Sequence, residues 1–216
     1  MLKKIVIFDS GFGGELFADY VEAKMPIFEV IRVIDWRHSA DIIKSPRLAR
    51  QHALAALRQY IGRVDAIVFA NYLLSLTSLR YFRRKFKHQT FIGFDFERPL
   101  RHRTSLILTT TAVTKTPRFH LATFGRKTIS ATLDDWPALI DDGELDPTFI
   151  RRSVVGYKTF KPTVIYLACT QFTDFVPLLR KIFGPTTKIC DGYRNTLTSI
   201  CHTLRIRGAL DGKRKK

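Results

Sequence analysis

Ala66-Ile-Val-Phe-Ala70-Asn71 and Ile165-Tyr-Leu-Ala-Cys169-Thr170 are the two stretches whose comparison decides the fold. Each is an apolar run that ends in a small residue and a polar one. Each leads into a helix-like stretch that closes on a basic and aromatic patch: Arg80-Tyr-Phe-Arg-Arg-Lys-Phe86 in the first copy, Leu178-Leu-Arg-Lys-Ile-Phe183 in the second. The run Ile5-Val-Ile-Phe8 has a counterpart at a similar offset, Ser105-Leu-Ile-Leu108. Such a chain reads as two related halves facing each other across a cleft, with a reactive group expected at each strand end. Cys169 is one such group. Its match in the first half reads as Ala70, so the second group is missing.

Working outward, apolar runs at 5–8, 30–34, 66–70, 91–94, 105–108, 164–168 and 187–190 predict buried strands. Helical patterns lie between them. Ser45-Pro46 is a helix opening, with Ser as N-cap and Pro in the first turn. That helix carries Leu54, Leu57 and Ile61 on one face and is expected to stop at Gly62. Residues 172–183 predict another helix, with Pro177 as a kink or a late start. Alternating strands and helices imply an α/β fold with mainly parallel sheets in two similar lobes. Right-handed crossovers bring the strand C-terminal ends to one side, where ligands bind. The first lobe is expected to take residues 1–95 plus a returning segment from about 190 to 216, and the second residues 96–189.

At 216 residues with 45% hydrophobic content, the chain can build real cores. Its apolar runs are too short to cross a bilayer. Met1-Leu-Lys-Lys-Ile-Val-Ile-Phe8 reaches Asp9 too soon for a signal peptide. Three cysteines without regular spacing argue against a disulfide framework and a zinc site. A soluble cytoplasmic protein without metal or cofactor is the expectation. The formal net charge of +17 raises a nucleic-acid or anionic-surface partner, bound without sequence preference. The basic residues are spread through 80–88, 101–103, 151–152 and the tail from Gly212, and no zinc-finger, helix-turn-helix or ribonucleoprotein pattern accompanies them.

The first strand ends in Asp9-Ser10-Gly11-Phe12-Gly13-Gly14. A glycine-rich turn after a strand can wrap backbone N–H groups around an anion, or can simply need glycine geometry. It is not a Walker loop, because no Gly-Lys-Ser/Thr follows. Asp9 places a carboxylate at a strand C-terminus, facing the cleft.

These residues resemble the glutamate racemases of the aspartate/glutamate racemase superfamily. Residues 5–14 are similar to the family's opening. Leu167-Ala-Cys-Thr-Gln171 resembles its second cysteine motif, Gly-Cys-Thr-His, and Asn71 stands where its first motif, Ala-Cys-Asn-Thr, has asparagine. Trp136-Pro-Ala-Leu-Ile-Asp-Asp-Gly143 is similar to its Pro-Leu…Glu-Gly stretch, and Thr110-Thr-Ala-Val-Thr-Lys-Thr116 to its Thr-rich loop. Asp35 and Lys44-Ser45 keep the spacing of a further motif.

The resemblance implies two α/β lobes, each giving one cysteine to remove or return the α-proton of a small amino acid. It also implies catalytic roles for Cys169 and Asp9, and substrate-binding roles for Ser10, Asn71, Thr170 and Gln171. The chain departs from the pattern where it matters. Ala70 cannot transfer a proton, Tyr72 replaces a small threonine, and Gln171 replaces a histidine. Ala40-Asp41-Ile42 puts a carboxylate where an anionic substrate is held in the family. Two-base glutamate racemisation is therefore not expected.

Two readings remain. One is single-cysteine acid/base chemistry on a small carboxylate, similar to the arylmalonate decarboxylases. The other is a non-catalytic homologue that binds a small carboxylate, an amino acid or a partner. The alternative is a genuine racemase supplying D-glutamate for peptidoglycan, with a substitute for the missing cysteine. Cys190 and Cys201 read as core, and the six histidines as surface or satisfied groups with no ligand spacing. Asp134-Asp135 and Asp141-Asp142 read as helix-end or loop acids, Trp36 and Trp136 as core or lobe-interface aromatics. The oligomeric state is not legible.

Overall fold

Apolar strands of Val, Ile and Phe buried on both faces need cover on both sides, and parallel sheets with crossover helices supply it. The computed structural model describes residues 2–94, 103–144 and 146–206. The basic tail from Gly212, Arg101, His102 and the expected lobe boundary at 95–96 lie outside the described residues.

The first lobe runs β1 (Lys3–Asp9), α1 (Gly13–Lys24), β2 (Phe28–Ile34), α2 (Ser39–Lys44), α3 (Pro46–Leu57), β3 (Ala66–Phe69), α4 (Tyr72–Thr77), α5 (Leu79–Lys85) and β4 (Phe91–Gly93). The second runs β5 (Ser105–Thr109), α6 (Thr111–Thr114), α7 (Pro117–Thr123), β6 (Thr128–Thr132), α8 (Trp136–Asp141), α9 (Pro147–Val155), β7 (Val164–Leu167), α10 (Val176–Phe183) and β8 (Lys188–Cys190). Helix α11 (Tyr193–Thr203) then packs on α1 and β4. Strand order is β2-β1-β3-β4 in one sheet and β6-β5-β7-β8 in the other, and every pairing is parallel. The two lobes therefore repeat one topology, strand for strand.

Strand alternation distributes the core. Ile5, Ile7, Val68 and Ala70 point into a central cluster shared with Ile107, Tyr166 and Ala168 of the second sheet. Val6, Phe8, Ile67 and Phe69 point outward under α3 and α5. Leu106, Leu108, Ile165 and Leu167 do the same under α8, α9 and α10. This period of two lets continuous apolar runs serve two faces at once.

Ser45 caps α3 through its hydroxyl, which accepts from the Leu48 amide at 3.1 Å, with Pro46 in the first turn. Pro177 marks a late start: residues 170–175 form a 3-10 turn and α10 begins at Val176. Two expectations need correction, and one strand went unanticipated. Helix α3 ends at Leu57, and the chain turns through 58–61 before Gly62 adopts φ +78°. Strand β6 has no apolar run to announce it, because Thr-Ile-Ser-Ala-Thr is an edge strand paired only with β5. Trp36 is 45% exposed, whereas Trp136 is buried at 1%.

Candidate functional site

Parallel strands aim their C-terminal ends the same way, and here both sheets aim theirs at each other. Asp9 at the end of β1 and Ser10 beyond it, Asn71 after β3, Thr110 after β5, and Cys169, Thr170 and Gln171 after β7 line one cleft of about 100 Å³. All six site residues expected from the sequence thus meet in one place. Ile42 and Ile43 of α2, with Tyr72, Leu73 and Val113, add apolar lining.

Asp9 is the polar hub, only 2% exposed. Its Oδ1 accepts from the Ser10 amide at 2.6 Å and from Asn71 Nδ2 at 2.8 Å, and its Oδ2 from Thr170 Oγ1 at 3.3 Å. Burial nevertheless outweighs these donors and lifts its pKa from 3.8 to about 7. Asn71 also donates to Ser10 Oγ at 3.3 Å, while its own carbonyl oxygen caps α4 by accepting from the Leu74 amide at 2.9 Å.

Cys169 is half-buried, and its thiol donates to Gln171 Oε1 at 3.5 Å. Burial, with further contributions from the nearby Asp9 and Asp141 carboxylates, pushes its pKa up to about 12. At neutral pH it is a thiol, a proton donor rather than a base.

Sequence reasoning missed Asp141, which it read as a helix-end acid. At the end of α8 this carboxylate enters the cleft. Its Oδ1 accepts from Gln171 Nε2 at 2.5 Å and from the Phe12 amide at 3.2 Å. Burial raises its pKa. The glycine-rich turn therefore does present an amide to an anion, and the anion is the chain's own. The glycines themselves serve close approach. A Cβ on Gly13 would stand 2.0 Å from Thr170 Oγ1, and one on Gly14 2.5 Å from Asp9 Cβ. Asp41 also differs from expectation. It turns away from the cleft to Lys44 Nζ at 2.9 Å and His52 Nε2 at 3.4 Å, and its neighbours Ile42 and Ile43 face the cleft instead.

The sheet registers refine the comparison of the two halves. Phe8 pairs with Phe69, and Leu108 with Leu167. The amides of Ala70 and Ala168 then donate to the carbonyls of Phe8 and Leu108, both at 2.8 Å. Internal register therefore matches Ala70 with Ala168, and Asn71 with Cys169. Ala70 is fully buried in the central core, whereas Asn71 lines the cleft. In either alignment the first lobe offers no thiol. In a Cys169→Ser background, Asn71→Cys is expected to react readily with a thiol reagent and Ala70→Cys to be protected in the folded state. Equal labelling of the two would contradict this register.

The raised pKa of Asp9 makes a stability prediction. Between pH 3.8 and about 7 the folded chain keeps a proton that the unfolded chain has lost. Stability from this group is full below that window and falls as pH rises through it, by on the order of 4 kcal/mol in total. Urea unfolding at pH 5 and pH 8 should show this loss in the wild type. The pH dependence should be flatter in Asp9→Asn.

Among the described residues, no helix is long and apolar enough to cross a membrane. Away from the cleft, Arg50, Arg80, Arg84, Lys85 and Arg118 line a separate hollow of about 580 Å³.

No family model matches the chain, and no curated protein matches it by sequence. Solved structures do match it in shape. Escherichia coli glutamate racemase, in complex with L-glutamate and the activator UDP-MurNAc-Ala, superposes with a TM-score of 0.83 at 19% identity, over 95% of this chain and 84% of that one. A Bacillus anthracis glutamate racemase gives 0.79 at 15% identity, over 97% and 84%. Picrophilus torridus aspartate racemase gives 0.64 at 12% identity, over 94% of both chains. At these identities the likeness is one of architecture, and the chain has the two-lobed α/β fold of the glutamate and aspartate racemases.

Proposed function

We propose that this chain is a member of the aspartate/glutamate racemase superfamily that delivers a proton to one face only of a small carboxylate substrate. The observation that carries this reading is the asymmetry of the cleft: Cys169 stands on one side and its register mate is Asn71, an amide that is neither an acid nor a base near neutral pH. A thiol held protonated, with a pKa near 12, suits the acid role and not the base role. Asp9, with a pKa near 7, is poised to take or return a proton at neutral pH. The apolar lining from Ile42, Ile43 and Val113 suits a less polar substrate than glutamate. It also favours loss of a carboxylate as carbon dioxide, which leaves the electron pair that the Cys169 proton meets. Crystallisation of the Escherichia coli and Francisella tularensis neighbours with glutamate supports a small amino-acid or carboxylate ligand.

The test is to incubate the protein with a panel of substituted malonates and amino acids in D₂O and follow the products by proton NMR and chiral separation. One-faced chemistry gives α-deuterated product of a single hand. Product of both hands would contradict it.

A second reading, a non-catalytic binding protein, is favoured by one observation: among the described residues, Asp9 and Asp141 line the cleft and no Lys or Arg does. It predicts saturable ligand binding with no deuterium incorporated from any compound of the panel.

The basic hollow supports weak polyanion binding as a separate property. Binding to unrelated DNA duplexes should fall steeply with salt and show no sequence preference. A preference that survives physiological salt would contradict that view.

A further inference from the structure

Two of the six histidines, His38 and His52, which show no ligand spacing in the sequence, come together in the first lobe. Asp35 follows the C-terminal end of β2, His38 closes the 3-10 turn Trp36–His38, and His52 lies on α3. The 3-10 turn, helix α2 and the first half of α3 separate these positions in sequence, so no spacing motif announces them. One ligand atom from each of the three residues lies within 4.8 Å of the others. His38 Nδ1 is 2.7 Å from Asp35 Oδ1. The two imidazole rings stack with centroids 3.9 Å apart and planes inclined by 15°. The side chain of Asp35 is only 13% exposed and that of His52 22%.

We infer that Asp35, His38 and His52 form a binding site for a divalent transition-metal ion of the zinc class. The convergence makes the argument: two imidazoles and a carboxylate from three separate elements bring one ligand atom each within 4.8 Å of one another, and a further carboxylate, Asp41, stands 3.4 Å from His52 Nε2. Two nitrogens and one carboxylate oxygen are ligands that suit zinc, cobalt or nickel, and they select against magnesium and calcium, which take oxygen.

Bonds of about 2.0–2.2 Å place neighbouring ligand atoms roughly 3.3 Å apart in a tetrahedron. To reach that spacing the wider pairs of the set draw in, the Asp35–His38 pair opens from 2.7 Å, and the stacked rings tilt so that both nitrogens aim at one ion. Three protein ligands leave a coordination position for water. Asp41, tied on its other oxygen to Lys44, orients His52 from outside the set.

The ion would fix segment 35–44, from which Ser39, Ile42 and Ile43 line the cleft. Its backbone is already bound to β1, because the Asp35 amide donates to the Asp9 carbonyl at 2.9 Å. The metal would thus set the shape of the cleft wall. This inference does not depend on the chemistry proposed for Cys169.

The experiment uses the untagged, chelator-treated full chain. Zn²⁺ is titrated by calorimetry and Co²⁺ by its visible d–d absorption. The expected result is one saturable site per chain, a higher melting temperature with Zn²⁺, and no competition from equimolar Mg²⁺. His38→Gln and His52→Gln should each weaken binding roughly tenfold or more, and Asp41→Asn by a smaller factor. His120→Gln and Cys169→Ser should leave the titration unchanged. Folding of each variant is checked by circular dichroism, and Asp41→Asn, which keeps all three ligands, tests the site if a histidine variant does not fold. Absence of saturable uptake, binding that persists in both histidine variants, or binding that disappears with Cys169 overturns the assignment.

Discussion

Gly13→Ala is expected to lower stability by about 3 kcal/mol, at the upper end of what overpacking costs. A methyl at this position would meet Thr170 Oγ1 at 2.0 Å, Thr170 Cβ at 2.6 Å and the Gln171 backbone nitrogen at 2.9 Å. The last of these is main chain and cannot rotate away. Gly13 opens α1 in the first lobe, and Thr170 follows β7 in the second, so the clash falls on the junction that brings Asp9 to Thr170. Denaturant unfolding measures the effect. Thr170→Gly should restore part of the loss, because it removes the two side-chain contacts and leaves the backbone one. Gly156→Ala is the control: nothing lies within 4 Å of its added methyl and its φ is −59°. It should be neutral or slightly stabilising. A Gly13→Ala protein as stable as the wild type would mean that the lobes do not close on Thr170 as described.

Cys169→Ser is expected to cut α-deuteration by about 10²–10⁴-fold, the range of a general acid, while ligand affinity changes little. A serine hydroxyl can keep the hydrogen bond to Gln171 but is a far weaker acid than a thiol. The structural cost is small, because Cys169 is half-buried at the cleft wall. Rate and affinity must be read together. Loss of rate with retained binding supports the proton-donor role. Equal binding with no turnover in either protein supports the non-catalytic reading instead.

Much of the fold was legible because the strands are buried on both faces. Ile5 to Phe8 and Ala66 to Phe69 carry side chains into two cores at once, so they read as unbroken apolar runs. Edge strand β6 needs no such run, and its half-buried polar residues hid it. The cleft residues Asp9, Asn71 and Cys169 were legible because each stands at or just past the C-terminal end of a buried strand. Asp141 was not, because its place depends on how α8 lies against the Gly11–Phe12 turn, a contact between residues 129 positions apart. The same limit concealed the approach of His52 to His38, and it left the one-residue difference between Ala70 and Asn71 to be decided by hydrogen-bond register. Short-range pattern marks a strand end. Which residue there faces the cleft is fixed only by pairing across the sheet.

The central claim is that proton traffic in this cleft is one-sided. The most direct measurement follows L-glutamate and D-glutamate separately with the purified protein in D₂O, by proton NMR for the α-position and chiral chromatography for the hand. The account predicts that neither enantiomer is converted into the other. Interconversion of both, with deuterium entering each at a comparable rate, would contradict it and place a second acid–base group opposite Cys169.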